Sequence, residues 1–141
     1  MTPGYISSLR KEKSDTPAKI LLVEDNPVNQ HVSTLMLKKL NCEVILAQNG
    51  QEAINTLSEH NEGYFDLVLM DCQMPVMDGF DATANIRDGM AGDEHKAIKI
   101  IALTANAMDS DKERCINAGM DDYLTKPIQL DILKEKIEQY F

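Results

Sequence analysis

Short apolar runs alternate along this chain with longer stretches in which apolar residues recur every three or four positions. The first kind of segment reads as strand and the second as amphipathic helix. Strands are predicted at Lys19–Val23, Glu43–Ala47, Leu67–Asp71, Ile98–Leu103 and Asp122–Thr125. Leu67–Met70 is unbroken, which suits a strand buried on both faces of a parallel sheet.

The punctuation between these runs predicts helices. Asn26 suits an N-cap and Pro27 the first turn that follows, where its missing N–H costs nothing. Val28, Val32, Leu35, Met36 and Leu40 then form an apolar stripe, leaving Asn29, Gln30 and Ser33 on the wetter side. Asn49 caps a second helix, with Glu52 placed for a capping-box-like exchange and Ala53, Ile54 and Leu57 as its core stripe. A third helix runs from about Phe80 to Asp88, after which Gly89–Lys96 reads as loop. A fourth runs from about Met108 to Ala118 and stops at Gly119. The last covers roughly Leu130–Tyr140, with Leu130, Leu133, Ile137 and Tyr140 on one face.

Strands alternating with helices call for an α/β fold, a parallel sheet covered on both faces. With right-handed crossovers, the expected architecture is a flavodoxin-like doubly wound (βα)5 fold of strand order 2-1-3-4-5. Residues 18–141 form that single domain; Met1–Pro17, polar and without a period, reads as a flexible leader or linker.

A formal net charge of -9 with no basic patch disfavours nucleic acid or an anionic membrane as partner. No apolar run approaches the ~20 residues needed to span a bilayer, and the N-terminus lacks a signal sequence. Cys42, Cys72 and Cys115 form no CxxC pair, so buried free thiols in a reduced, cytoplasmic compartment are expected. His31, His60 and His95 are read as surface positions.

Four of the five strands finish on polar groups: Glu24-Asp25, Asp71, Thr104 and Lys126. In a parallel alternating fold all carboxyl ends share one sheet edge, so these residues should converge there. Glu24, Asp25 and Asp71 held close together would repel unless a cation intervened. Hard oxygen donors suit Mg²⁺, and with no His or Cys joining the acids Zn²⁺ is not expected. A carboxylate beside Mg²⁺, a hydroxyl and an ammonium is equipped to take up a phosphoryl group: Asp71 attacks phosphorus, while Thr104 and Lys126 contact its oxygens. Met70, Met74 and Met77 are better read as packing than as a soft-metal site. Cys72, with no partner thiol evident, reads as a buried structural cysteine.

The stretches Ile20–Asn26, Leu69–Gly79, Ile101–Ala107 and Ala118–Pro127 together resemble the receiver domain of two-component response regulators, most closely that of hybrid sensor histidine kinases. The resemblance implies that Asp71 accepts phosphate from a phosphohistidine and that Glu24 and Asp25 hold Mg²⁺, with the backbone carbonyl of Gln73 as a further ligand. It implies that Thr104 and Tyr123 act as the switch pair, and that Lys126-Pro127 is cis. Expected partners are a histidine kinase or its phosphohistidine domain, and a histidine phosphotransfer protein. The first helix, with Val28, Asn29 and Val32, is one candidate docking face. The face of the fourth helix, fifth strand and fifth helix is the other, and would serve a homodimer. A haloacid-dehalogenase-type phosphatase also uses a strand-end Asp, but it needs a second Asp where this chain has Gln73. A pseudo-receiver that never takes phosphate fits poorly with the complete acid, hydroxyl and lysine set. The expected role is therefore phosphorelay signalling, with slow autodephosphorylation as its only catalysis beyond accepting phosphate.

Overall fold

The computed structural model describes residues 17–105 and 109–140. Five parallel strands, β1 (Lys19–Val23), β2 (Glu43–Ala47), β3 (Leu67–Asp71), β4 (Ile100–Thr104) and β5 (Asp122–Thr125), lie in the order β2-β1-β3-β4-β5. They are joined by α1 (Pro27–Lys39), α2 (Gly50–Ser58), α3 (Gly79–Arg87) and α4 (Asp109–Ala118), and α5 (Leu130–Gln139) follows β5. The expected doubly wound, flavodoxin-like architecture and strand order are what the chain adopts. Except for Pro17, the expected leader lies outside the described residues, as do Met108 and Phe141.

Alternation along the strands sorts their side chains into two cores. Leu21, Val23, Val68, Met70, Ile100 and Ala102 pack with Ala53, Ile54, Leu57, Ala82, Ile86 and Cys115 on the α2–α3–α4 face. Ile20, Leu22, Leu67, Leu69, Ile101 and Leu103 pack with Leu37, Leu40, Leu133 and Ile137 on the α1–α5 face. Every residue of β3 and β4 is buried. With full burial of a Leu or Ile contributing about 1.5–3 kcal/mol, these two strands anchor the fold. β2 is an edge strand and leaves Leu46 exposed.

The helix starts follow the capping chemistry. Asn26 Oδ1 accepts from the Asn29 N–H at 3.0 Å with Pro27 opening the helix. Asn49 Oδ1 accepts from the Glu52 N–H at 2.9 Å, while Glu52 reaches back to the Gln48 N–H at 2.9 Å.

Several expectations need correction. Three of the five residues of the expected α1 stripe, Val28, Val32 and Leu35, are exposed; Leu40 is buried and Met36 packs against the α1–α5 core as expected, and Ser33 and Leu37 are buried with them. Positions 30, 33, 37 and 40 face inward, and the half-buried Gln30 side chain donates to the Glu24 carbonyl at 2.6 Å. β4 begins at Ile100, not Ile98, with a 3-10 turn at Asp93–His95 and an irregular stretch before it. His95 is buried, not on the surface; its Nε2 lies 2.9 Å from the His60 carbonyl. The fourth helix closes as expected at Gly119, whose φ of +105° is the left-handed conformation glycine adopts freely.

Candidate functional site

The strand register builds the site. Val23 pairs with Met70 and Asp71 with Leu103, so Glu24, Asp71 and Thr104 leave neighbouring strands at the same edge. Thr104 pairs with Thr125, and Lys126 follows immediately. This edge is the crevice at the reversal between β1 and β3, where doubly wound sheets bind ligands.

Glu24 is 1% exposed and Asp71 4%, while Asp25 is exposed. One carboxylate oxygen from each of the three lies within 4.8 Å of the others. Lys126 Nζ sits 2.9 Å from Asp71 Oδ2 and 3.2 Å from Glu24 Oε1. The Gln73 N–H donates to Asp71 Oδ1 at 3.2 Å, and the Asn26 N–H donates to Glu24 Oε2 at 3.2 Å. Burial pushes the Glu24 carboxyl above its ordinary range; a hydrogen bond with Asp71 and the Asp71 charge add to this, against the Asn26 N–H and Lys126. Burial alone would lower the Lys126 ammonium, but Asp71 and then Glu24 outweigh it, and the net shift is upward. The group is therefore a firmly held cation between two acids. These residues, with Asp25, Asn26, Asn29, Cys72, Gln73, Leu103 and Ala105, line an open cleft of about 200 Å³.

The loop after Asp71 is tightly drawn. A Cβ on Gly79 would collide with the Asp71 carbonyl oxygen, so only glycine fits, and the Gly79 N–H donates to the Cys72 carbonyl at 3.2 Å. The Gly50 N–H holds the Met77 carbonyl at 3.0 Å, tying the loop to the start of α2. Val76 sits at its tip, 83% exposed with φ +68°, a conformation costly for a β-branched residue.

The expected site residues thus fall into two groups. Glu24, Asp25, Asp71, Gln73 and Lys126 meet at the cleft. Thr104, 8% exposed, lies at the same edge, and Lys126-Pro127 is cis. Tyr123 lies outside the cleft on β5, lining a surface hollow with Ile132 and Lys136 that Lys126 also borders, with Lys112 Nζ 5.1 Å from its ring centroid. Met70 is core, and Met74 and Met77 pack against it as expected. The partner thiol missing from the sequence reading is present: Cys115 Sγ lies 4.0 Å from Cys72 Sγ. It comes from α4, 43 positions away, with no spacing motif to reveal it. Gln30 and Ser33 were likewise placed on the wrong side of α1, since polar type alone suggested solvent.

The profile of the response regulator receiver domain matches residues 20–138. The chain belongs to this family. Among curated relatives, Histidine kinase 1 of Arabidopsis thaliana is 39% identical over 91% of this chain, and Hybrid signal transduction histidine kinase B of Dictyostelium discoideum is 42% identical over 90%. The chain spans only 13% and 7% of those two proteins. The receiver domain of sensor histidine kinase PA1611 from Pseudomonas aeruginosa PAO1, solved with a magnesium ion coordinated in its active-site cleft, is 43% identical. That match has a TM-score of 0.77 and covers 87% of this chain and 96% of that one. The co-crystal of the Saccharomyces cerevisiae histidine phosphotransfer protein Ypd1 with the receiver domain of its downstream response regulator Ssk1 matches at 38% identity and TM-score 0.77, covering 87% of this chain and 88% of that one. Among the described residues of this receiver domain, no helix is long and apolar enough to cross a membrane.

Proposed function

We propose that Asp71 accepts a phosphoryl group from a phosphohistidine, on a kinase or a phosphotransfer protein, with Mg²⁺ as cofactor. The domain then changes conformation or passes the phosphoryl group to a histidine phosphotransfer protein. The observation that carries this reading is the Asp71 carboxylate in an open cleft, set between two further acids and a buried-edge lysine.

The donor set fits the metal. Glu24, Asp25 and Asp71 offer hard oxygen ligands beside an open cleft with room for water. The Gln73 carbonyl is the proposed additional ligand. Mg²⁺ held there would relieve the acid–acid repulsion and draw charge from phosphoryl oxygens as a Lewis acid.

In the transfer, an Asp71 carboxylate oxygen forms the new P–O bond as the P–N bond to the donor imidazole breaks. The electron pair of that bond leaves with the imidazole, and the product is an aspartyl phosphate. Lys126, already 2.9 Å from Asp71 Oδ2, shifts its charge from carboxylate to phosphoryl oxygens. The Thr104 hydroxyl donates to one of those oxygens, and Tyr123 follows Thr104 as the second switch residue. The Gln73 N–H, at 3.2 Å from Asp71 Oδ1, orients the attacking group.

The docking face proposed for a phosphotransfer partner is the outward side of α1. Val28 and Val32 are 69% and 44% exposed beside the cleft, and Asn29, Val32, Ser33, Pro127 and Ile128 line a groove of about 200 Å³ next to Glu24 and Lys126. Residues 18–141 are proposed as the receiver of a hybrid histidine kinase, on its cytoplasmic side, with residues 1–17 as a linker.

Incubation with Mg²⁺ and acetyl phosphate, read by intact mass, tests the central step. The expected result is gain of one phosphoryl group, absent in Asp71→Asn and in EDTA. An unlabelled wild type with no accelerated phosphate release would overturn the reading.

A further inference from the structure

We propose that Cys72 and Cys115 form an oxidant-responsive dithiol site that closes to an intramolecular disulfide. The site does not rest on phosphoryl acceptance, although it borders the same cleft.

The two sulfurs lie 4.0 Å apart in van der Waals contact, within one core cluster on the α2–α3–α4 face. A disulfide brings sulfurs to about 2.05 Å, so each must move by roughly 1 Å. The two sides of the pair are not equivalent. Cys72, 3% exposed, is among the residues that line the cleft beside Asp71 and Lys126, which is the side from which a peroxide would approach. Cys115 is 0% exposed and sits behind it on the inner side of α4. That helix and the residue after it are tied to α3: the Arg114 guanidinium lies 4.0 Å over the Phe80 ring, and Arg87 Nε donates to the Gly119 carbonyl at 2.9 Å. Cys42 is buried in the other core, across the sheet, and serves as an internal control.

The chemistry is that of a peroxidatic and a resolving thiol. The Cys72 thiolate attacks one oxygen of a hydroperoxide, the O–O bond breaks, and Cys72 becomes a sulfenic acid as water or alcohol leaves. The Cys115 sulfur then attacks the Cys72 sulfur and expels water. Overall, two thiols and one peroxide give one disulfide and two hydroxylic products, so the peroxide supplies the oxidising equivalents.

Folded, reduced wild-type chain treated with hydrogen peroxide, then alkylated and digested without reductant, is the test. The expected result is loss of two hydrogen masses, a linked peptide joining positions 72 and 115, an alkylated Cys42, and full reversal by dithiothreitol. In Cys115→Ala, Cys72 should instead be trapped as sulfenic acid by a 1,3-diketone reagent. Because the linked-peptide map needs no variant, the test survives a Cys115→Ala chain that does not fold. The proposal is overturned if the folded chain forms no 72–115 link under peroxide that cross-links the urea-unfolded chain. Links through Cys42, or only over-oxidised Cys72, would overturn it equally.

Discussion

Carboxylates stand at both ends of the sheet, and the two ends treat them in opposite ways. At the amino-terminal edge each has donors of its own. Asp66 accepts from the Lys19 N–H at 2.9 Å. Asp121 accepts from the Ile100 N–H at 2.8 Å and from Arg87 Nη2 at 3.1 Å. Asp122 meets Lys136 at 3.0 Å and the Tyr140 hydroxyl at 3.1 Å. At the carboxyl-terminal edge Glu24, Asp25 and Asp71 face one another, with Lys126 shared between two of them. The same residue type is structural where its donors are sufficient and reactive where they are not. Crowded acids store repulsion that only an added cation or a change of charge relieves.

The sharpest break between the two edges is expected from Asp71→Asn. It should abolish phosphoryl uptake in the intact-mass assay while leaving the urea midpoint unchanged or higher, since it removes one of the repelling charges. A clear loss of stability would mean that Asp71 is a structural acid like Asp121.

Asp121→Ala should show the converse. It strips the Ile100 N–H and the half-buried Arg87 guanidinium of a common acceptor, a loss of about 2–3 kcal/mol on hydrogen-bond magnitudes, read by urea unfolding. The folded fraction should still take phosphate. Arg87 also donates to the carbonyls of Gly119, Lys96 and Ile98, so the cost should stay well short of unfolding the domain.

Mg²⁺ should separate the edges more finely. At tenfold excess over its Kd, a ligand bound only by the folded state adds about 1.4 kcal/mol, visible as a higher thermal midpoint. Glu24→Gln should largely remove that response, and Asp66→Asn should leave it intact.

The smallest expected effect lies at Asp122. Burial first, and then the Asp122 charge, push the Tyr140 hydroxyl from 10.0 up to about 12. The folded state thus holds this proton more tightly than the unfolded chain. Its contribution is complete below pH 10 and is lost as pH rises through about 12. Tyr140→Phe should cost about 1 kcal/mol at neutral pH and flatten the alkaline fall in stability, measured by urea unfolding across that range.

The carboxyl-terminal edge was the more legible of the two in the sequence. Apolar runs that stop on Glu24, Asp71 and Thr104 reveal both the strands and where their ends meet, because parallel order forces convergence. The amino-terminal partners are not legible in that way. Nothing near Asp121 announces Arg87, 34 positions earlier at the end of α3. The phase of α1 was lost for a related reason. Its apolar residues surround much of the helix, so periodicity alone does not say that Leu37 and Leu40 face in while Val28, Val32 and Leu35 face out. For α2, where Ala53, Ile54 and Leu57 are the only apolar choice, the pattern sufficed. His95 and the Cys72–Cys115 pair are contacts between distant segments, which periodicity does not encode.

The account turns on a single acyl phosphate at Asp71, and borohydride trapping reads it most directly. Reduction of an aspartyl phosphate converts that residue to homoserine, which peptide sequencing by mass spectrometry locates. After phosphorylation in Mg²⁺, homoserine at position 71 and nowhere else is the predicted result. Homoserine at Asp25 or Asp78, or a phosphorylated chain that resists borohydride altogether, would contradict it.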